Sequence, residues 1–546
     1  MNIPYYNDYP EASTVRELVS MSSTRFNQGI AYSYRQRPSD PEAVHVTFRR
    51  FAYDVKCLGT AELECGMAGV HCALIGKLSY NWVLCYMSLL SIGAVLVPLD
   101  RDWSAEDLAD TVKKADCRFL ICDGDLSEKA EKICEAAGIE KRIFMSGDCE
   151  EISSMLATGA TLIAEGDDSF YKAPIDPNAL ALLVFTSGTT GRQKGVPLTS
   201  INEVLSSHDV MIHFPMSNRD VTMNTTPWFH RGGLHCAGPC PALYAGATMV
   251  IMDKFSSEAT LDYVAKYKIT FIVGVPTVLE DLADEQEKLG RDISSLKGIV
   301  TMGSPLERAA CIRYQNVLTP NIYNGYGTTE TFWNTFLRPC DLPENAGTAG
   351  SSCVDDDVRV VKVYEDRRAE PEDLAARDSE EIGEVIMKTP AKSPYCYSNN
   401  PEETEKKFYK DYIYTNDLGT WDKNGFVTII GRKDDMIISS GENIYPTQIE
   451  EVLNTNPKVK DCMVTAVPDR IRGEIVTAYV VKSDESLTAH ELDEFCKESA
   501  FIANFKRPRY YRFISQLPIN ATGKKLHYKL KEIARQDLKN GLLIIV

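Results

Sequence analysis

Between residues 70 and 330 short apolar runs recur, each bounded by Gly, Pro or Asp: CALIG, AVLVPLD, RFLICD, RIFMS, ALLVFTS, TMVIMD, TFIVGVP and GIVTMG. Runs of this length, rich in aliphatic and β-branched residues and separated by helix-like stretches, predict buried parallel strands joined by crossover helices. After the fifth run, Ile201, Val204, Leu205 and His208 share one helical face, which predicts a helix fed directly by the preceding loop. The longest apolar stretch, Asn81 to Leu99, is broken by Ser88, Ser91, Gly93 and Pro98, so no membrane span is expected. The charged stretch from Val354 to Glu381 reads as a solvated strand and loop. Past Gly431-Arg432-Lys433 the pattern changes to MIIS, DCMVTAV, EIVTAYVV and YYRFIS, with two helical segments near Thr447–Asn454 and Ala489–Ser499. That is an α+β module of about 110 residues. The expected fold class is therefore α/β. A large N-terminal domain of several subdomains, residues 1–433, carries mostly parallel sheets flanked by helices, and a smaller α+β domain spans residues 434–546.

Composition narrows the function. The chain of 546 residues carries 77 Asp+Glu against 59 Lys+Arg, a formal charge of −18. Such a balance repels nucleic acid and anionic membrane surfaces, so neither is an expected partner, while a local basic pocket for a small phosphate stays compatible. Sixteen Cys without a C-x-x-C pair read as small buried side chains in a reducing cytosol. His235-Cys236 with Cys240 lacks a second ligand pair, so no structural metal site is expected. The start, MNIPYYNDYPEAST, has neither a cationic stretch nor an apolar one, which predicts no signal peptide and a cytoplasmic protein.

Five segments carry chemistry. In LLVFTSGTTGRQKG a buried strand feeds a loop whose backbone N–H groups and hydroxyls can surround a polyphosphate while Lys194 adds charge. It departs from a Walker loop, since Gln193 and Gly195 flank the lysine. Tyr323-Asn324-Gly325-Tyr326-Gly327-Thr328-Thr329-Glu330 offers a stacking ring, glycines for close backbone approach, and an oxygen ligand suited to Mg²⁺. In Tyr414-Thr415-Asn416-Asp417 a carboxylate at a strand end can accept both hydroxyls of a ribose. The fourth segment runs from Gly431 through Ile444 to Glu450. The fifth joins Phe505-Lys506-Arg507-Pro508 to Asn520-Ala521-Thr522-Gly523-Lys524.

In this order and spacing the five segments resemble the adenylate-forming superfamily of acyl-CoA synthetases, peptide-synthetase adenylation domains and luciferases, over nearly the whole chain. IISSGENIYPTQIEEVL and NFKRPRYY look most like aryl-CoA ligases. The resemblance implies a carboxylate–CoA ligase that uses ATP, Mg²⁺ and coenzyme A and releases pyrophosphate as acyl-AMP forms. It implies that Thr186, Ser187, Gly188, Thr189, Thr190, Gly191 and Lys194 hold the phosphates. Tyr326, with Gly327, stacks on adenine, Thr329 touches the α-phosphate, Glu330 binds the metal, and Asp417 with Arg432 holds the ribose. Gly303 and Ser304 line the nucleotide and acyl region. Asn416 replaces the usual Gly of the ribose motif and still tolerates left-handed geometry. Lys524 is the expected catalytic lysine, by the N-x-x-G-K register, in preference to Lys525.

The small domain is expected to swing about Asp434. Ser440 and Gly441 then lie on the pantetheine channel, with Phe505 and Arg507 on the adenine and 3′-phosphate of CoA. His230 stands where amino-acid-activating relatives carry Asp, so an uncharged aryl or medium-chain acid is expected, with Gly325 leaving room for it. Loading of a carrier protein, a luciferase-like oxidation and a silent nucleotide-binding regulator remain the alternatives, and the oligomeric state stays open, a homodimer included.

Overall fold

The computed structural model describes residues 12–37, 39–187, 193–364, 366–499, 501–519 and 525–546. Two parallel-rich sheets carry the large domain. The first runs in the order Lys141–Phe144, Cys117–Cys122, His71–Ile75, Val95–Leu99, Leu180–Ser187, Gln193–Thr199, parallel throughout except for the last pair. The second places Ile322–Thr328, Gly298–Met302, Phe271–Gly274, Val221–Asn224, Thr248–Ile251 and Ile30–Tyr34 side by side and parallel, with antiparallel strands on both edges. All eight predicted runs are strands. They are apolar on both faces because helices cover both. One of these is Tyr80–Ser91, buried along almost its whole length, which accounts for most of the long apolar stretch. Among the described residues no helix is long and apolar enough to cross a membrane.

A third, antiparallel sheet joins Asp357–Val361, Gly383–Lys388, Tyr412–Trp421, Phe408–Tyr409 and Val427–Arg432. A one-turn helix, Lys433–Asp435, then leads into the smaller domain. There the strands Ile437–Ser439, Glu442–Ile444, Val459–Asp469, Gly473–Lys482, Tyr510–Phe513 and Ile544–Ile545 form one mixed sheet.

Two expectations need correcting. The loop after Leu180–Ser187 does not feed a helix directly: Gln193–Thr199 turns back as a hairpin partner, and the helix Ser200–His213 starts only after it. That helix also presents a different face. Of the expected face only Val204 is buried; His208 is exposed and Ile201 and Leu205 are half-buried, whereas Glu203, Ser206, Ser207 and Asp209 are buried. Partners explain the inversion. Tyr86 Oη donates to Glu203, whose other oxygen lies 2.7 Å from His235 Nε2, and Lys392 Nζ sits 3.2 Å from Asp209. A buried charge is tolerated when paired and hydrogen-bonded, so apolar periodicity misreads the helix. His235 is thereby engaged as a hydrogen-bond partner, and all sixteen Cys are free thiols, most of them buried.

The small domain holds the two expected helices, Pro446–Asn454 and Ala489–Glu498, and a third, His527–Lys539, that the pattern does not announce. Only Leu530 and Ala534 are buried on it, too narrow a stripe to read against so many charges.

Candidate active site

The site forms where the second large sheet meets the antiparallel one. Strand Ile322–Thr328 ends in Thr329-Glu330, and the chain returns as Phe332–Leu337. Glu330 is 6% exposed, and its Oε1 accepts a hydrogen bond from the hydroxyl of Tyr397. Burial pushes its carboxyl up, but the Lys407 ammonium and the Tyr397 hydroxyl outweigh that and hold it below its ordinary range. Lys407 Nζ donates to the Thr415 carbonyl at 2.8 Å, and burial lowers its own proton affinity despite Glu330 and Asp417. Arg231, only 3% exposed, donates to the Thr329 carbonyl at 2.9 Å and to the Lys392 carbonyl at 2.6 Å, fixing the backbone at the carboxylate.

Asp417 and Arg432 face each other in register across neighbouring antiparallel strands, with NH1 to Oδ1 3.2 Å. Tyr326 Oη donates to the other Asp417 oxygen at 2.7 Å. Asn416 has φ +63°, the left-handed geometry expected of it, and that turn lifts Asp417 toward Tyr326. Burial lowers the Arg432 guanidinium, but Asp417, Asp434 and Asp435 outweigh burial and raise it. Its Nε is buried without a protein partner. The two strand ends thus bring a carboxylate, a phenol and a guanidinium to one place.

Lys194 lies opposite Thr186 in the hairpin; its ammonium pairs with Glu403 and sits 5.4 Å from the centre of the Tyr397 ring. Tyr397 therefore touches both the lysine of the first motif and the carboxylate of the second. Gln193, just before the lysine, accepts from Thr111 Oγ1 at 3.2 Å. Gly188, Thr189, Thr190 and Gly191 lie outside the described residues, and only the backbone of Ser187 is described. Gly303 has φ +86°, which a side chain would strain, and Ser304 beside it is half-buried. Tyr397, Glu403, Arg231 and Lys407 are absent from the motif reading. Their only trace in the sequence is a Tyr and a Glu close to the strand that carries Asp417, and an Arg next to His230.

The expected substrate wall needs a correction. His230 is half-buried, its ring 4.4 Å from that of Phe229. Gly325, however, leaves no room: a Cβ there would lie 3.0 Å from Trp333 and 3.4 Å from Phe336. The missing side chain is already replaced by the chain's own rings.

In the small domain, Asp434 accepts from Asn416 Nδ2 at 3.3 Å and lies 3.8 Å from Arg432, while Lys531 Nζ donates to its carbonyl at 2.6 Å. Ser440 and Gly441 form an exposed turn with positive φ on both residues. Phe505 is 48% exposed, open for stacking. Arg507 is the second correction: it is buried in an ion pair with Asp493, so its guanidinium is spent inside the domain and not turned outward toward a phosphate. Lys524 lies outside the described residues. Its neighbour Lys525 pairs with Asp461 at 2.8 Å and donates to the Cys462 carbonyl at 2.5 Å, which ties it to its own sheet.

Comparison with known proteins is consistent across the chain. The model of the AMP-binding enzyme family matches residues 23–394, and that of the AMP-binding enzyme C-terminal domain matches residues 448–524. A 3-[(3aS,4S,7aS)-7a-methyl-1,5-dioxo-octahydro-1H-inden-4-yl]propanoyl:CoA ligase of Rhodococcus jostii is 29% identical, over 85% of this chain and 89% of that protein. A mitochondrial medium-chain acyl-CoA ligase of Homo sapiens is 28% identical, over 91% and 84%. Among solved structures, o-succinylbenzoate CoA synthetase of Bacillus subtilis with its acyl-adenylate superposes with a TM-score of 0.80 at 25% identity, covering 94% of this chain and 97% of that one. ATP-bound MatB of Rhodopseudomonas palustris shares the fold, with a TM-score of 0.83 at 24% identity over 96% and 99%.

Proposed function

Because the chain belongs to the AMP-binding enzyme family, we propose that it joins a carboxylic acid to coenzyme A at the expense of ATP, releasing pyrophosphate as an acyl-adenylate forms and AMP as the thiol displaces it. The observation that carries this reading is the meeting of Glu330, Tyr397, Lys194, Asp417 and Arg432, contributed by three separate sheets and, for Tyr397, by the segment between two strands of the antiparallel one.

The first step is nucleophilic attack of the acid on the α-phosphorus, a reaction governed by positioning and by cancelling charge. Lys194 meets the outer phosphates once Glu403 yields it. Asp417 accepts from the ribose hydroxyls and Arg432 keeps that carboxylate oriented. Tyr326, fixed by its bond to Asp417, presents its ring to the base. A buried carboxylate held ionised is the hard oxygen donor Mg²⁺ prefers; Glu330 would hold the ion, which supplies charge neutralisation at the phosphates. Thr329, whose carbonyl Arg231 fixes, offers its hydroxyl beside the α-phosphate. Lys524 supplies the mobile positive charge for this half-reaction, and the register assignment is supported by Lys525 being committed elsewhere.

For the second half-reaction the domain beyond residue 433 turns about Asp434, bringing Ser440-Gly441 and Phe505 to the thiol's path. Sixteen free, mostly buried cysteines suit a reducing, cytoplasmic setting. The decisive experiment is pyrophosphate release across a panel of benzoates, cinnamates and fatty acids, with and without CoA. CoA-dependent thioester with no turnover of glycine, alanine or phenylalanine is expected. Pyrophosphate without any thioester, but with transfer to a carrier protein, would overturn the CoA assignment.

A further inference from the structure

On the ligase reading, on which this inference rests, Lys194 has to meet the outer phosphates of ATP, yet its ammonium is already engaged by the Glu403 carboxylate. The two side chains keep only 15% and 26% of their surface exposed, so water and salt screen the pair less than they would at an open surface. The lysine belongs to the hairpin strand Gln193–Thr199 and the glutamate to the short helix Pro401–Lys407, 209 residues further along the chain. Backbone supports the contact. Ser398 N–H donates to the Gly195 carbonyl at 2.8 Å, tying the segment before the helix to the residue next to Lys194.

The same segment reaches both the residue assigned to the metal and the residue assigned to the phosphates. Tyr397 gives its hydroxyl to Glu330, and its ring lies 5.4 Å from the Lys194 ammonium that Glu403 holds. The backbone between Tyr397 and Glu403 is fixed by its own side chains. Asn400 Oδ1 accepts from the Glu403 N–H at 3.2 Å, while Thr404 Oγ1 donates to the Asn400 carbonyl at 2.8 Å and accepts from the Tyr397 N–H at 2.9 Å. The Glu403 carboxylate can therefore change partner while the main chain that carries Tyr397 stays in place.

A second partner is at hand. Glu403 Oε1 lies 3.2 Å from Nζ of Lys406, one helical turn on and exposed, so leaving Lys194 does not strand the carboxylate. The hydrogen bond from Lys194, joined by that from Lys406, outweighs partial burial and holds the Glu403 carboxyl below its ordinary range. A polyphosphate arriving at Lys194 brings several negative charges to an ammonium that already carries one anion. Two anions on one cation repel each other, whether Glu403 swings to Lys406 or stays. In both cases the carboxylate works against the phosphates.

We propose that Glu403 is a built-in competitor of the polyphosphate, a positioning residue that holds Lys194 beside Tyr397 between turnovers, yields it to ATP and takes it back from pyrophosphate. Nucleotide affinity is lowered and departure of the first product is hastened by the same charge. Neutralising Glu403 tightens every ligand that carries the outer phosphates and leaves the nucleoside end untouched.

The test is calorimetric binding of MgATP, magnesium pyrophosphate, AMP and adenosine to the full-length wild type, Glu403→Gln and Glu403→Ala at constant ionic strength, with thermal melts as the folding control. Gln keeps the size of the side chain and removes its charge. Kd for MgATP and for magnesium pyrophosphate should fall by about three- to tenfold in both variants, while Kd for AMP and adenosine stays within about twofold of wild type. A merely structural role would instead weaken all four ligands together. Unchanged or raised Kd for MgATP and pyrophosphate in a folded variant would overturn the inference and leave the ligase reading intact. A large drop in melting temperature in both variants would mark Glu403 as structural and overturn the inference as well. A wild type that binds neither MgATP nor AMP would overturn the ligase reading, and the inference with it.

Discussion

Replacing Tyr397 by Phe removes one oxygen atom from the centre of the site and little else. The ring stays, so the contact with the Lys194 ammonium, 5.4 Å from its centre, is retained. What is lost is the hydroxyl donated to Glu330, between side chains 5% and 6% exposed, where water is a poor substitute. A hydrogen bond to a charged group contributes about 1.5–3 kcal/mol. At about 1.4 kcal/mol per pKa unit, the proton affinity of Glu330 should rise by about one to two units. The sign follows from its present state. Burial alone raises Glu330, and Lys407 with Tyr397 reverses that, so the carboxylate survives to a pH below its ordinary range and is lost only as pH falls through the lowered value. In Tyr397→Phe the loss starts earlier on acidification. The acid limb of kcat/KM for pyrophosphate release, measured from about pH 3.5 to 9 at constant ionic strength and saturating Mg²⁺, should move up by about one to two pH units. Activity near pH 9 should stay within about threefold of wild type. At pH 6 the Mg²⁺ concentration giving half-maximal rate should rise as well, because protons compete for the same oxygens. A uniform fall at every pH, or an acid limb that does not move, would refute the idea that Tyr397 acts through the charge on Glu330.

Four further outcomes are expected. Lys524→Ala should abolish adenylation yet spare thioester formation from presynthesised acyl-AMP, whereas Lys525→Ala should lower the melting temperature and keep activity, since it empties the pair with Asp461; a dead Lys525 variant beside an active Lys524 variant reverses the assignment. Gly325→Leu should lose activity with every acid, because its Cβ already meets Trp333 at 3.0 Å, and selective loss of large acids alone would contradict the packing. Arg507→Ala should destabilise the small domain by about 1.5–3 kcal/mol, since Asp493 then keeps only its pair with Lys497 at 2.8 Å, read as a calorimetric shift, while Phe505→Ala raises KM for CoA with an unchanged melt; a raised KM with full stability in the Arg507 variant would restore its phosphate role. Glu62 is buried, and burial lifts its carboxyl to about 8, so the folded state keeps a proton that the unfolded chain releases. Wild-type stability should therefore fall between about pH 4.5 and 8, by at most about 1.4 kcal/mol per pH unit, and Glu62→Gln should remove that slope in pH-dependent melts.

What the sequence discloses depends on whether neighbours along the chain or neighbours in space decide a residue's fate. Strand runs such as TFIVGVP are visible because burial on both faces leaves no polar position to blur them. Asp417, Arg432 and Glu330 are visible because turn chemistry and strand ends fix them locally. Tyr397 and Arg231 are invisible for the opposite reason: each acts on a loop far away in sequence, 67 residues in one case and 98 in the other. The helix Ser200–His213 misleads through the same blindness, since Glu203 and Asp209 are buried by partners that no periodicity reports. Arg507 shows the converse error. A basic cluster on paper suggests an outward charge, and only the fold reveals Asp493 waiting behind it.

Arg432 lies between Asp417 and Asp434, 3.2 Å from one carboxylate and 3.8 Å from the other. A single cation is therefore shared by the residue assigned to the ribose and the residue assigned to the pivot. Coupling of this sort is reciprocal: whatever a sugar does to the balance of that charge, rotation of the small domain does in return to the grip on the sugar. Nucleotides missing one ribose hydroxyl would then be more than weak substrates. They would change the timing between the two half-reactions, and a 2′-deoxy analogue becomes a stopwatch for a movement that no static view records.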